Sequence, residues 1–204
     1  MTLKTPYNRE NEIRKRLNFF FSQNFSLPEE DYYSKLTPDA ILALKSALSD
    51  INNMLTMKVT LAFAEWVSEK LNLDKSAKDE LTRIVLESKP SSNGYDIWLG
   101  YPVTFAGEVK CNIPLNNGEI YGAAQRHGIE RDITGLLHGK KKASFSSASC
   151  LKFIAFLDTP KIRKANSHLI KTNKTCKDVL IFPSETQALD RTDVVYGIYV
   201  SPSA

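Results

Sequence analysis

Nowhere in the 204 residues does an apolar run approach the roughly 18 residues that a membrane span needs, so no membrane-spanning segment is expected. The opening MTLKTPYNRENEIRKR carries charge but no apolar stretch resembling a secretory leader, which makes the cytosol the expected compartment. Cysteine is scarce. Cys111, Cys150 and Cys176 are odd in number, widely spaced and without a CxxC pair, which argues against a disulfide framework. With His127, His138 and His168 they make no zinc-ligand spacing either. No internal repeat or low-complexity tract is visible, so a solenoid or a disordered chain is not expected.

Net charge is also modest, +4, but it is unevenly placed. Residues 1–100 carry 13 Lys and Arg against 14 Asp and Glu, whereas residues 101–204 carry 14 against 9. Between 140 and 177 the cations Lys140, Lys141, Lys142, Lys152, Lys161, Arg163, Lys164, Lys171, Lys174 and Lys177 face a single acid, Asp158. A basic half joined to a neutral one fits a polyanionic partner, and equally fits a solvated lysine-rich surface.

With 42 % hydrophobic and 25 % charged residues, the length suits one sizeable domain with a core. Up to residue 90 the apolar spacing is helical. Ile13, Leu17, Phe20 and Phe21 share one helical face. TPDAILALKSALSDINNML begins with Thr37 as a cap and Pro38 at the first helical position, and VTLAFAEWVSEKL continues the spacing. A further helix is expected after Ser76, with Leu81, Ile84 and Val85 turned inward. KPSSNG breaks the pattern. Beyond it YDIWL and VTFAGEVKCN read as two strands joined around GYP. NNGEIYGAAQRHGIERDITGLLHGKKK reads as a loop entering a helix interrupted at Gly128. CLKFIAFLD reads as a strand buried on both faces, and DVLIFP and DVVYGIYVSP as two more strands. The expected fold is α/β (α+β): a mixed β-sheet core flanked by helices, with a helical region over 1–90 and a core over 91–204 in one compact domain overall.

The hairpin carries the chemistry. Side chains alternate along a strand, so Glu108 and Lys110 share a face. If the hairpin centres on Pro102, Asp96 lies opposite Glu108, with Cβ atoms about 5 Å apart. Two carboxylates that close repel by roughly 4 kcal/mol at ~4 Å and an effective dielectric near ~20. A proton or a cation must relieve them. Mg²⁺ favours one or two carboxylates together with waters and phosphate oxygens, and a lysine beside it can orient an attacking water. Asp96, Glu108 and Lys110 therefore fit metal-assisted phosphodiester hydrolysis. They equally fit an ordinary cross-strand network of surface charges.

The order Asp96 … Glu108-Val109-Lys110 resembles the PD-(D/E)XK nucleases, the restriction endonuclease-like superfamily, with YD standing for PD. There the first acid ends or follows one strand, and the ExK lies on the next strand of an antiparallel pair. The resemblance implies a restriction endonuclease-like mixed sheet. It implies Mg²⁺, with Mn²⁺ able to substitute, held by Asp96, Glu108 and the Val109 carbonyl, and Lys110 serving the attacking water. Glu87, on the helix before the loop, is a candidate third acid.

GAAQRHGIERDI, soon after, resembles the recognition segment of type II restriction enzymes of the EcoRI-related group, with Glu130 and Arg131 in the matching positions. Arginine can bind guanine bidentately. Arg126 and His127 lie on the same segment, and Lys140, Lys141 and Lys142 follow it as candidate phosphate contacts, though cations there also complement a helix dipole. Taken together, the resemblances imply a homodimeric type II restriction endonuclease in the cytoplasm of a prokaryote. It would cut double-stranded DNA at a specific site and leave 5′-phosphate ends. Two alternatives stay open: a structure-reading repair or junction nuclease of the same fold, and a DNA-binding protein without catalysis.

Overall fold

Thr37 and Pro38 open the longest helix of the chain, as their types predict: Thr37 Oγ1 accepts the Ala40 N–H at 3.2 Å and Pro38 takes the first helical position. The computed structural model describes residues 7–88, 94–115, 118–141, 143, 147 and 149–202. Helix α1 spans Arg9–Phe25, α2 spans Pro38–Lys70 and α3 spans Lys75–Glu87. Two compact units result, Met1–Ile51 and Asn52–Ala204.

In the first unit the Asn8 side chain caps α1 by accepting the Asn11 N–H at 3.0 Å. Asn18 ties that helix to the next turn, donating to Asp31 at 3.0 Å and accepting from the Tyr33 N–H at 3.0 Å. The apolar spacing of α1 predicts a buried face, yet none of its residues is buried, and Phe19, Phe20 and Phe25 are exposed. On α2, Ile41, Leu48 and Ile51, which keep helical spacing, are exposed as well, and so is Leu42.

In the second unit a five-stranded mixed sheet is built from β1 (Ile97–Leu99), β2 (Phe105–Lys110), β3 (Leu151–Leu157), β4 (Leu180–Ile181) and β5 (Val195–Val200), in the order β1-β2-β3-β5-β4. The β1–β2 pair is antiparallel and every other pair is parallel. Parallel neighbours need crossovers. Helix α4 (Ala123–His138) links β2 to β3, and α5 (Pro160–Thr172) with the short α6 (Lys174–Lys177) follows β3.

Alternation along the strands divides the core into two layers. Phe105, Val109, Phe153, Tyr196 and Ile198 face Val59, Phe63 and Val67 of α2 and Leu81 and Val85 of α3. Ala106, Ile154, Phe156 and Val195 face Ile129, Ile133 and Leu136 of α4 and Ile162 and Leu169 of α5. Phe63, Phe105 and Phe153 meet edge to face. Gly107 makes the first layer close: a Cβ there would stand 2.3 Å from the Phe63 ring.

Several expectations change. The cap of α3 is Asp74, which accepts the Ala77 N–H at 2.9 Å, and not Ser76. Helix α4 runs through Gly128 without a break, because its hydrogen bonds need no side chain there. The basic stretch TPKIRK starts α5: Thr159 caps it by accepting the Ile162 N–H, and Pro160 opens it. Asp158 pairs with Arg163 at 2.6 Å. Lys152, within the apolar run of β3, is 1 % exposed. It donates to the carbonyls of Cys150 at 2.9 Å and Thr192 at 2.5 Å, and burial pulls its pKa down. The break at 89–93 and the loop residues 116–117 lie outside the described residues. Among the described residues no helix is long and apolar enough to cross a membrane.

Candidate active site

β1 and β2 pair with Ile97 opposite Gly107, and the same register carried back one step sets Asp96 opposite Glu108. Asp96 stands one residue ahead of β1, whereas the resemblance expects an acid that ends or follows its strand. Its Oδ2 accepts the Val109 N–H at 2.8 Å, which ties the first acid to the strand that bears the second. Glu108 and Lys110 share the β2 face that carries Ala106 toward α4, while Val109 faces the opposite layer.

Two ion pairs complete the cluster. Lys110 pairs with Asp132, a buried acid on the inward side of α4. Lys140, just past the end of α4, reaches Glu108 Oε1 at 2.5 Å. The same ammonium donates to the Gly94 carbonyl at 3.0 Å and stands 5.5 Å from the centre of the Tyr95 ring. Its route is built in: Gly139, with φ 90°, ends α4, and Gly135 leaves room for the lysine stem, since a Cβ at 135 would lie 3.1 Å from Lys140 Cγ.

Glu108 is 3 % exposed. Its Oε1 is enclosed, and the Lys140 ammonium is its partner among the described residues. Burial first, and then the Asp96 charge, push its carboxyl up to about 8, against the pull of Lys140. Asp96 keeps access to solvent. Partial loss of hydration raises its pKa as well, opposed by the Val109 N–H and by Lys110 and Lys140. The solvent that reaches Asp96 screens this effect, so the electrostatic strain centres on Glu108.

Among the described residues no three His, Cys, Asp or Glu side chains converge as a metal cage. Two facing carboxylates, one of them buried and held by a lysine, nevertheless fit the donor set of Mg²⁺, which keeps waters and takes phosphate oxygens for the rest of its shell.

The other sequence candidates lie elsewhere. Arg126, His127 and Arg131 are exposed on the solvent side of α4, away from the inward row Ile129, Asp132, Ile133 and Leu136. Glu130 is half-buried and accepts a hydrogen bond from the Asn173 side chain, so it is engaged within the fold. Lys141 is exposed, and Lys142 lies outside the described residues. Glu87 is exposed on α3 and pairs with Arg83 at 2.5 Å. The third acid beside the pair is Asp132, whose charge raises the pKa of both Asp96 and Glu108. Sequence reading passes over Asp132, although an acid in the inward row of an amphipathic helix was a usable signal.

No protein-family model, no curated protein and no solved structure matches this chain.

Proposed function

We propose that this protein is a Mg²⁺-dependent endonuclease of the type II restriction class, hydrolysing phosphodiester bonds of double-stranded DNA at a specific site. The observation that carries the reading is the acid pair: Asp96 opposite Glu108, anchored on the Val109 N–H, with Lys110 on the Glu108 face of the same strand. A buried carboxylate facing another acid is costly unless a cation relieves it. Asp96 and Glu108 are the residues that would hold the metal, together with the Val109 carbonyl that the resemblance implies. When bound, the ion polarises the phosphoryl oxygen and acidifies a water.

Lys110 orients that water and offsets charge as it develops on phosphorus. Asp132 fixes the Lys110 ammonium in place through their ion pair. Attack in line leaves 5′-phosphate and 3′-hydroxyl ends. Mn²⁺, with similar oxygen affinity, would substitute. Arg126, His127 and Arg131 form the exposed face of α4 that is available to DNA, with Lys141 beyond it.

A palindromic site cut on both strands calls for two copies of the chain, each with one acid site. The exposed Ile41, Leu42, Leu48 and Ile51 provide apolar surface for such pairing.

The test is a digestion of long double-stranded DNA of known sequence, with Mg²⁺ and with EDTA. Discrete Mg²⁺-dependent fragments support the reading and give the site from their ends. A smear moves the protein to a structure-reading nuclease. DNA that is bound but left intact reduces it to a binding protein.

A further inference from the structure

Lys140 has no counterpart in the D…ExK pattern, yet the fold delivers it to the acid pair by a prepared route. Gly139 turns the chain at a φ of 90°, Gly135 clears the aliphatic stem, the Tyr95 ring flanks the ammonium and the Gly94 carbonyl accepts from it. The ammonium ends 2.5 Å from the enclosed Oε1 of Glu108. The other lysine of the cluster, Lys110, is committed to Asp132. The two cations therefore have separate posts, and the one on Glu108 occupies an oxygen of the carboxylate that would bind the metal.

Charge balance leads to the same place. With Glu108 ionised, the form that a cation holds, Asp96, Glu108 and Asp132 bring three negative charges, and Lys110 and Lys140 bring two positive ones. A divalent cation added beside both lysines would overshoot to net positive. The same cation in exchange for Lys140 leaves the cluster neutral, and the released ammonium is free for a phosphate of the substrate.

We propose that Lys140 is a resident counter-cation of the acid pair, holding Glu108 until a divalent metal displaces it, so that lysine and metal compete for one carboxylate. The proposal rests on the reading of Asp96 and Glu108 as metal ligands. It makes Lys140 a positioning residue, and it makes metal affinity in the absence of DNA lower than the two acids alone would give.

The experiment is Mn²⁺ binding to the full-length, DNA-free protein, followed by the electron paramagnetic resonance of free Mn²⁺. Lys140→Met keeps the stem and removes the charge, and it should bind Mn²⁺ roughly tenfold more tightly than the wild type. Glu108→Gln should abolish binding in either background. Equal or weaker binding by Lys140→Met, with the wild type binding normally, overturns the proposal and leaves the nuclease reading standing.

A second measurement avoids substitution. Acetylation of the wild-type lysines, read by mass spectrometry, should show Lys140 reacting faster once Mn²⁺ is present, while lysines remote from the site, such as Lys45 and Lys75, do not change. Unchanged Lys140 reactivity at saturating Mn²⁺ overturns the proposal even if Lys140→Met proves unstable. Absence of Mn²⁺ binding by every form removes the metal site itself, and the reading falls with the proposal.

Discussion

Asp96 Oδ2 accepts the Val109 N–H at 2.8 Å, so the first acid of the candidate site is fastened to the backbone between Glu108 and Lys110. That hydrogen bond thus fixes Asp96 against the strand whose own geometry spaces Glu108 and Lys110. Asp96→Ala removes a ligand and leaves an amide without its partner. It should abolish cleavage and lower stability by about 1–3 kcal/mol. Glu108→Ala should abolish cleavage equally while DNA binding in Ca²⁺ persists. Gel digestion, filter binding and urea denaturation of the two variants distinguish these effects, and full cleavage by either variant would sink the catalytic assignment.

Asp132 offers a sharper test, because no motif contains it. Its ion pair holds Lys110, so Asp132→Asn should slow single-turnover cleavage by about 10–100-fold and leave the affinity for DNA near that of the wild type. Lys110→Ala in that background should then cost less than it does alone, since residues acting as one unit are not additive. Independent, additive losses would separate Asp132 from the chemistry.

Acidity supplies a third expectation. Glu108 titrates in the folded protein at about 8, well above its ordinary 4.5. The folded state therefore binds this proton more tightly than the unfolded chain does. The stability it contributes is full below pH ~4.5 and is lost as pH rises toward ~8. The unfolding free energy from urea denaturation should decline through that window by an amount on the order of a few kcal/mol, and the midpoint with it. Glu108→Gln should flatten the decline, and Mg²⁺ at pH 8 should restore part of it in the wild type alone. A midpoint that rises with pH through the window, with no difference in Glu108→Gln, would contradict the burial argument.

Packing on the far face of β2 gives a fourth. Gly107→Ala forces a methyl group to within 2.3 Å of the Phe63 ring, and it should cost about 1–3 kcal/mol in a core this dense. Phe63→Leu alone should also destabilise, but combined with Gly107→Ala it should recover part of the loss. Thermal melts of the two single variants and the double variant measure the coupling.

Local patterns made much of this legible. The centring of the hairpin on Pro102 yields the facing of Asp96 and Glu108, because register in a two-stranded pair follows from counting. The Thr-Pro signature that reveals the start of α2 is repeated at Thr159-Pro160, where a run of lysine and arginine obscured the helix. The partners of the lysines were not legible. Lys110–Asp132 and Lys140–Glu108 join residues far apart in sequence, and only the packing of α4 on β2 decides which acid each cation meets. In α1 the helical spacing was correct as local structure, but periodicity says nothing about whether a partner covers the apolar side.

The missing Cβ of Gly107 has an evolutionary consequence. A glycine immediately before Glu108 looks like slack in a short motif, yet it is half of a pair whose other half is the Phe63 ring. In descendants of this chain the two positions cannot drift independently. A larger residue at 107 must arrive with, or after, a smaller one at 63. The short signature would then be inherited together with a phenylalanine more than forty positions upstream, and aligned relatives should record it as covariation between the two columns.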